Sequence, residues 1–319
     1  MSSITIAGAG AFGTALAIAL AREGRTARLW SRDADAASAM QDARQNASRL
    51  PGAGFPRDLL ISADADDLAA ETVLIAVPTQ SLRGFLAAHG DHLQGSTCVL
   101  CCKGIESGTG LLPSQILASV LPDVRGAVLT GPGFASEIAR GLPTALTLAM
   151  DGAGDPALQA LLSTATLRLY LSNDPTGAQL GGALKNVIAI ACGISIGAGL
   201  GESARAALMT RGYAEMMRLA TDMGASAATL AGLSGFGDLA LTCTSLQSRN
   251  YALGHRLGQG GAIGDGTLEG VATARASLTL AEPRGVEMPV AGIVAAVLEK
   301  SLTINEAVAA LLSRPLKAE

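Results

Sequence analysis

A glycine-rich turn between an apolar strand and a helix constrains the fold of this chain more than any other feature. In sequence order there is an apolar run at residues 4–7, the segment GAGAFG at 8–13, a helical stretch at 14–23 and a second apolar run at 27–30. A GxGxxG pattern inside one βαβ unit is typical of a dinucleotide-binding site. The alternative is a plain strand–turn–helix that binds no ligand. The position of the glycines inside a βαβ unit disfavours it.

The three glycines have different tasks in such a site. Gly8 permits the tight turn, Gly10 lets the backbone approach a pyrophosphate, and Gly13 lets the helix pack closely on the strand. The N-terminus of the helix offers unpaired N–H groups and a partial positive charge to the phosphates. The sequence therefore predicts that residues 8–13 bind a dinucleotide.

The residues after the second strand bear on which dinucleotide binds. The strand is predicted to end at Trp30 and Ser31, and Arg32 and Asp33 follow. In this unit an acidic residue bonds the 2′-hydroxyl of NAD, whereas an arginine accommodates the 2′-phosphate of NADP. We favour NADP(H), or use of both NADP(H) and NAD(H), over NAD(H) alone. The alternative is that Arg32 is a solvated loop charge.

Apolar runs continue to alternate with helical segments up to residue 173. The predicted strands are near-continuously apolar, and they lie at residues 72–77, 97–102, 126–129, 145–150 and 167–171. Such runs are typical of buried parallel strands, and their alternation with helices predicts an α/β fold with a Rossmann-type doubly wound sheet over residues 1–173. Ligands bind such sheets beyond the carboxyl ends of the strands. Lys103 and Gly131 follow predicted strands, so both are candidates for ligand binding.

The pattern changes at residue 174, after which no strand is predicted. Asp174 and Pro175 form a helix-start signal. The predicted helices lie at residues 175–196, 203–223, 226–233, 246–257, 268–281, 289–299 and 303–312. Residues 174–319 are therefore predicted to form an all-helical domain after the sheet domain.

Lys185 is the candidate for proton transfer, because it is the only charged residue in the apolar segment 175–201. Burial of an ammonium is costly and lowers the pKa of the lysine, which makes it usable as a general base. Gly181 and Gly182, just before it, indicate close approach of another backbone or a ligand. The alternative is a lysine that reaches the surface. We reject a membrane span, because the purely apolar part begins after Asn186, is glycine-rich and is shorter than about 20 residues.

A second candidate for binding is the run Ser248, Arg249 and Asn250, which is predicted to open a helix. Hydroxyl, guanidinium and amide donors beside a helix N-terminus are suited to a small phosphate. An ordinary helix cap followed by a surface arginine explains the same three residues equally well.

Composition narrows the class of protein further. A chain of 319 residues suits two domains, and a net charge of -4 disfavours nucleic acid as a partner. The N-terminus enters the first strand without an export signal, which predicts a cytoplasmic protein. With three histidines and no metal-site spacing, no metal is expected. The cysteines are expected to be small buried residues of a reducing compartment, at positions Cys98, Cys101, Cys102, Cys192 and Cys243.

Longer segments, taken in order, point to a family. They are GAGAFGTALA, LWSR, CCKGIE, TGPGFASEIARGLPTA, QLGGALKNVIAIACG, TRGYAEM, SGFGDLALTCTSLQSRN, LEGVATA and GVEMPV. From residue 4 to about residue 312 the chain resembles bacterial NAD(P)-dependent glycerol-3-phosphate dehydrogenases. The resemblance implies reversible hydride transfer between dihydroxyacetone phosphate and sn-glycerol 3-phosphate, which supplies the glycerol backbone of phospholipids. It also implies a homodimer.

The resemblance further implies roles for individual residues. Lys185 is the proton acceptor, Lys103 contacts both cofactor and substrate, and Asp238 orients a lysine or a substrate hydroxyl. The substrate is contacted by Lys103, Gly131, Gly133, Lys185, Asp238, Ser248, Arg249 and Asn250. The cofactor is contacted by Gly8, Gly10, Ala11, Phe12, Gly13, Arg32, Lys103, Ala135, Arg249, Thr267 and Glu269.

Three positions depart from the family's usual pattern. Gly133 stands where a hydroxyl residue is frequent, Ala11 replaces the commoner serine, and Thr267 stands where an apolar residue is frequent. None of these changes removes a catalytic group, so the implied activity stands, with an effect expected only on affinities.

Two other functions fit the same residues. One is a 3-hydroxyacid dehydrogenase of similar domain plan, whose substrate carries a carboxylate instead of a phosphate. The other is a non-catalytic NADP-sensing protein, against which the set Lys185, Asp238 and Arg249 argues. In each case the partner is a small molecule, and no nucleic acid and no integral membrane segment are expected.

Overall fold

The computed structural model describes residues 3–263 and 269–312 of the chain. Contacts within the chain divide it into two compact units. The sheet unit comprises the residues up to Lys103 together with Leu111–Gln179. The helical unit comprises Gly104–Gly110 and the residues from Leu180 onward.

An eight-stranded sheet forms the centre of the sheet unit. Its strands are β1 (Ile4–Ala7), β2 (Ala27–Trp30), β3 (Leu60–Ser62), β4 (Thr72–Ile75), β5 (Thr97–Leu100), β6 (Arg125–Thr130), β7 (Thr144–Ala149) and β8 (Leu167–Ser172). Their order across the sheet is β3-β2-β1-β4-β5-β6-β7-β8. In the parallel register Ile4 lies opposite Ala27 on one side and Thr72 on the other. The doubly wound α/β fold class predicted for this part of the chain is confirmed.

Six helices belong to this unit. They are α1 (Ala11–Arg22), α2 (Ala34–Ala43), α3 (Thr79–His89), α4 (Pro113–Val120), α5 (Ala135–Arg140) and α6 (Pro156–Leu162). Side chains of a strand alternate between its faces, and in β4 Leu74 joins one apolar cluster while Val73 and Ile75 join another. The central strands are therefore buried on both faces, as their continuous apolar runs predicted.

The last two strands do not follow the parallel pattern that their apolar sequences predicted. β7 pairs antiparallel with β6, and β8 pairs parallel with β7. The connection after β6 contains only the six-residue α5, which packs on α1, so the chain returns without the helical crossover that parallel neighbours need. β8 forms the sheet edge, where Tyr170 is exposed. β3 was not predicted, because three half-exposed residues give little apolar signal.

The described residues from α7 onward contain helices and no strand, which confirms the predicted helical region. The helices are α7 (Pro175–Gly197), α8 (Gly201–Asp222), α9 (Ala227–Ala231), α10 (Asp238–Thr242), α11 (Arg249–Gly258), α12 (Glu269–Ala281), α13 (Pro289–Leu298) and α14 (Ile304–Leu312). α7 begins in the sheet unit and continues in the helical unit from Leu180. The sequence did not predict α10 or the π-helical turn Leu233–Gly237 before it.

α7 is also the one helix in the described ranges that is long and apolar enough to cross a membrane. Its most apolar window is 89% buried inside the protein, which is the environment of a core helix.

Candidate active site

The glycine turn between β1 and α1 has the shape that a pyrophosphate requires. Gly8 has φ +116°, and a Cβ on it would lie 2.9 Å from the backbone of Ala76, so only glycine fits. A Cβ on Gly13 would lie 2.2 Å from the carbonyl oxygen of Gly8. At Gly10, by contrast, no described atom outside its own stretch of backbone lies within 4 Å of such a Cβ. The turn is closely packed on the protein side and open at Gly10, so the residues present fit the pyrophosphate of a dinucleotide.

Arg32 and Asp33 have different environments at the end of β2. The carboxylate of Asp33 accepts a hydrogen bond from the backbone N–H of Ala36 at 3.0 Å and so caps α2. Arg32 is exposed. The acidic residue is therefore engaged in the fold, and the arginine side chain is accessible to a ligand.

Lys103 lies beside two other predicted site residues of the sheet unit. Its Nζ donates a hydrogen bond to the carbonyl oxygen of Gly131 at 2.9 Å and lies 5.7 Å from the ring centroid of Phe12. Gly131 has φ +139°, and a Cβ there would lie 3.1 Å from Cα of Leu146. The sheet unit thus brings Lys103, Gly131 and Phe12 together.

Gly133 and Ala135 follow on the same connection. A Cβ on Gly133 would lie 3.1 Å from both Ile138 Cδ1 and Thr144 Cγ2. The hydroxyl residue that is frequent in the family would therefore require these two side chains to shift. Ala135 is the first residue of α5.

Lys185 is held in the interior of the helical unit by two side chains. Its Nζ lies 2.5 Å from Oδ1 of Asp238 and donates to Oγ1 of Thr242 at 2.9 Å. Oγ1 of Thr242 is 3.3 Å from the same Asp238 oxygen. All three side chains are buried. The ammonium of Lys185 is therefore not buried unpaired, because the carboxylate of Asp238 compensates its charge.

A tight crossing of backbones places Asp238 against α7. A Cβ on Gly181 would lie 2.4 Å from the carbonyl oxygen of Ser234 and 3.1 Å from Cα of Gly235. The prediction that the glycines before Lys185 mark a close backbone approach is confirmed for Gly181. The π-helical turn that contains Gly235 ends directly before Asp238, and such turns are frequent at functional sites.

Thr242 is a site residue that the sequence reasoning missed. Asp238 and Thr242 are four residues apart, so both side chains lie on one face of α10. The spacing of four residues could have indicated that Thr242 shares a helix face with Asp238. It was not used, because no helix was predicted at these residues.

The Ser248–Asn250 run opens α11 as predicted. Oγ of Ser248 accepts from the backbone N–H of Tyr251 at 3.2 Å, which confirms the helix cap. Arg249 is exposed at the first position of the helix. Oδ1 of Asn250 is buried without a hydrogen-bond partner in residues 3–263 and 269–312. A cap therefore explains Ser248, but it explains neither the accessible guanidinium nor the unsatisfied amide oxygen.

Glycines fix the position of α11 against α7. A Cβ on Gly193 would lie 2.2 Å from the carbonyl oxygen of Tyr251, and a Cβ on Gly254 would lie 2.1 Å from that of Ile190. α11 is therefore packed backbone to backbone on α7, the helix that carries Lys185.

The two remaining cofactor candidates are Glu269 and Thr267. Glu269 is the first described residue of α12. Thr267 lies outside the described residues.

The five cysteines are free and buried, which confirms their predicted environment. Burial raises the pKa of the Cys98 and Cys101 thiols to about 12. Burial also raises the pKa of the Cys243 thiol well above its ordinary value, and the neighbouring Cys192 adds to this. The raised pKa values of these three thiols favour the protonated form, which is a poor nucleophile.

Two family models together match most of the chain. The model described as NAD-dependent glycerol-3-phosphate dehydrogenase N-terminus matches residues 3–154, and that described as the C-terminus matches residues 174–309. The chain belongs to this family. The predicted membership of the glycerol-3-phosphate dehydrogenase family is thereby confirmed.

Members of the family are similar to this chain over its whole length. Glycerol-3-phosphate dehydrogenase (NAD(P)+) from Ruegeria sp. (strain TM1040) is 57% identical over 99% of this chain and 100% of its own length. The protein of the same name from Cereibacter sphaeroides is 55% identical over 99% of this chain and 100% of its own. The crystal structure of glycerol-3-phosphate dehydrogenase from Coxiella burnetii has a TM-score of 0.93 at 37% identity, covering 98% of this chain and 99% of that one.

These likenesses confirm three predictions made from the sequence of this glycerol-3-phosphate dehydrogenase family member. It is an oxidoreductase, its cofactor is NAD(P), and it has a Rossmann-type sheet followed by helices. The roles of individual residues remain predictions.

Proposed function

We propose that this chain catalyses the reversible transfer of hydride between NAD(P)H and dihydroxyacetone phosphate, which yields sn-glycerol 3-phosphate for glycerophospholipid synthesis. The observation that carries the proposal is the buried cluster of Lys185, Asp238 and Thr242. A buried ion pair adds little net stability compared with apolar residues of the same volume. A buried, paired lysine in an enzyme of this family therefore favours a chemical role.

Lys185 supplies the proton that the reaction needs. NAD(P)H provides the hydride that the carbonyl carbon of the substrate accepts. The ammonium of Lys185 polarises the carbonyl and donates a proton to its oxygen, and in the oxidation direction the neutral amine takes that proton back.

Asp238 and Thr242 hold Lys185 in position for this transfer. The carboxylate of Asp238, 2.5 Å from Nζ, stabilises the ammonium in an interior where an unpaired charge would be costly. Thr242 contacts both partners and so restricts the direction in which Nζ points. The two residues thereby make Lys185 a donor of fixed position.

The phosphate of the substrate is assigned to the start of α11. Ser248 and Asn250 provide neutral polar groups, and the guanidinium of Arg249 provides a planar, charged fork. Binding energy from the phosphate orients the distant carbonyl, so that its loss lowers turnover as well as affinity. Gly131, Gly133 and Lys103 are assigned to substrate binding by family likeness.

The cofactor is assigned to the glycine turn and to the end of β2. Gly10, Ala11 and Phe12 would hold the pyrophosphate, and Arg32 would bind the 2′-phosphate of NADP(H) while allowing NAD(H) to bind. Lys103, Ala135, Arg249, Thr267 and Glu269 are assigned to it by family likeness.

A homodimer in the cytoplasm completes the proposal. Both assignments follow the family, and sedimentation of the purified protein and fractionation of cells measure them directly.

The deciding experiment follows consumption of NADPH and of NADH after addition of dihydroxyacetone phosphate. Unphosphorylated dihydroxyacetone and a 3-oxo acid serve as comparison substrates. We expect rapid turnover of the phosphorylated ketone only. Preference for the 3-oxo acid would instead indicate a hydroxyacid dehydrogenase, and binding of NADPH without turnover of any ketone would indicate a sensor.

A further inference from the structure

Asn46, in the segment between α2 and β3, forms hydrogen bonds with both ends of its side-chain amide. Its Nδ2 donates to the carbonyl oxygen of Ala9 and to Oγ1 of Thr14, each at 2.9 Å. Its Oδ1 accepts from Oγ of Ser48 at 3.1 Å and from the backbone N–H of Arg49 at 3.2 Å. Asn46 is 2% exposed, so these bonds replace water almost completely.

The contact with Ala9 controls the orientation of a peptide group in the glycine turn. A trans peptide is planar, and its C=O and N–H point in opposite directions. The Ala9 carbonyl is bound to Asn46, so the N–H of Gly10 is directed to the opposite side of the same plane. The position that a Cβ on Gly10 would occupy is also open, so a ligand can approach this residue. The second bond, to Thr14, fixes the first turn of α1 relative to the same side chain.

The segment that carries Asn46 is itself well braced. The guanidinium of Arg44 donates to the carbonyl oxygens of three residues further along the same segment, Pro56, Arg57 and Leu59. The backbone N–H of Phe55 donates to the carbonyl oxygen of Arg44 at 2.8 Å. Asn46 therefore ties the glycine turn to a fixed support.

We propose that Asn46 is a positioning residue for the cofactor: it holds the Ala9–Gly10 peptide so that the Gly10 N–H is presented to the pyrophosphate. The inference rests on the proposed function in that the ligand is NAD(P). The pyrophosphate is common to NADP(H) and NAD(H), so Asn46 acts on both cofactors equally. This distinguishes it from Arg32, whose effect depends on the 2′-phosphate.

The test compares Asn46→Ala with Arg44→Ala by calorimetric titration of NADPH and of NADH in the absence of substrate. We expect Asn46→Ala to raise the Kd of both cofactors by about 10-fold, in equal proportion. Its kcat at saturating cofactor should stay within about twofold of wild type, because the reacting groups are untouched. Arg44→Ala loosens the same segment without removing the contact to Ala9, so it should lower Tm and raise both Kd values by less than Asn46→Ala does.

Three outcomes overturn the inference. They are an unchanged Kd in Asn46→Ala, a rise confined to NADPH, and an equal rise in Arg44→Ala. If Asn46→Ala does not fold, Thr14→Val can be used instead. It removes the hydrogen bond between Asn46 and Oγ1 of Thr14, and a smaller but equal rise in both Kd values is then expected. Faster hydrogen exchange of the Gly10 amide in the variant gives a second readout.

Failure of the proposed function remains distinguishable from failure of this inference. A wild-type protein that binds NADPH but does not reduce dihydroxyacetone phosphate contradicts the proposed function. The titrations on Asn46→Ala then still decide the role of Asn46, because they contain no substrate.

Discussion

Nζ of Lys185 lies 2.5 Å from Oδ1 of Asp238, although the two residues are 53 positions apart in the chain. Both side chains are almost fully shielded from solvent. Two effects of the pair can therefore be separated by experiment. Its two charges affect the stability of the fold, and the proton on Lys185 is the one proposed for the reaction.

Replacing Lys185 with methionine should separate these effects. Lys185→Met removes the proton donor, so kcat should fall by about 100-fold or more while NADPH still binds. It also leaves the Asp238 carboxylate buried without its ammonium, which is expected to cost about 3–5 kcal/mol in unfolding free energy. Kinetics and thermal unfolding of the purified variant measure the two effects.

The control for this prediction is the double variant Lys185→Met/Asp238→Asn. An amide carries no charge to bury, so the double variant should recover part of the lost Tm and remain inactive. Near-native turnover in Lys185→Met would show that the lysine is structural.

Thr242 should contribute to turnover through its hydroxyl alone. Thr242→Val keeps the shape but loses the contact to Nζ of Lys185, and we expect kcat to fall by about 10-fold with little change in KM. Thr242→Ser retains the hydroxyl and should restore most of the rate. Thr244→Val is the matched control, because among the described residues the exposed Thr244 hydroxyl bonds only to carbonyl oxygens of its own segment. Equal losses in Thr242→Val and Thr244→Val would remove Thr242 from the site.

The sheet could be predicted because burial on both faces leaves a continuous apolar run in the sequence. β1, β2, β4 and β5 lie within such runs. The direction of β7 could not be predicted in this way, because an apolar run has the same composition in either direction. Direction depends on the course of the preceding connection, and here the short α5 packs on α1 instead of crossing the sheet.

In the site, Lys185 could be predicted and its partner contacts could not. A single charged residue in an apolar segment can be recognised from the sequence alone. The contact with Asp238, in contrast, depends on how two segments that are distant in the sequence cross in the fold. That crossing requires glycine at residue 181, where a Cβ would lie 2.4 Å from the carbonyl oxygen of Ser234. The family resemblance named Asp238 as orienting a lysine or a substrate hydroxyl, and the fold shows that it contacts Lys185.

Arg32 should decide between the two cofactors. Arg32→Ala removes a guanidinium that can pair with a 2′-phosphate, so the KM for NADPH should rise by about 10-fold or more. The KM for NADH should hardly change, because NADH has no phosphate at that position. Arg57→Ala, at another exposed arginine of the sheet unit, is the control. Equal effects of Arg32→Ala on both cofactors would return Arg32 to the role of a solvated loop charge.

The buried thiols of β5 and the residue after it should make the fold sensitive to alkali. The pKa of Cys98 and of Cys101 is raised to about 12 in the folded protein. The same thiols ionise at about pH 8.5 once the chain is unfolded. Between these two values the unfolded chain binds fewer protons, so the unfolding free energy falls as pH rises, by up to about 1.4 kcal/mol per pH unit for each thiol.

The variant Cys98→Ala/Cys101→Ala isolates this effect from the titration of other groups. Its Tm should be lower than wild type at neutral pH because methyl-sized gaps form in the core. Its Tm should then fall less steeply between about pH 8 and about pH 10. Parallel Tm curves for the two proteins would contradict a thiol contribution.

Arg249 should matter only when the substrate carries a phosphate. Arg249→Ala removes the charged fork at the start of α11, and we expect kcat/KM for dihydroxyacetone phosphate to fall by about 30-fold or more. Arg249→Lys keeps the charge but loses the planar geometry, so it should be impaired to a smaller extent. The slow reaction of unphosphorylated dihydroxyacetone should change little, because it has no phosphate to bind.

The decisive quantity is the ratio of kcat/KM for the phosphorylated ketone to that for the unphosphorylated one. This ratio should fall in Arg249→Ala and stay near wild type in the control Arg256→Ala. Arg256 lies in the last turn of the same helix, and its guanidinium bonds to the carbonyl oxygen of Ala262. Because both substrates use the same cofactor and the same proton donor, damage to either cancels in the ratio. A ratio that does not fall in Arg249→Ala would place the phosphate elsewhere and favour a carboxylate substrate, as in a hydroxyacid dehydrogenase.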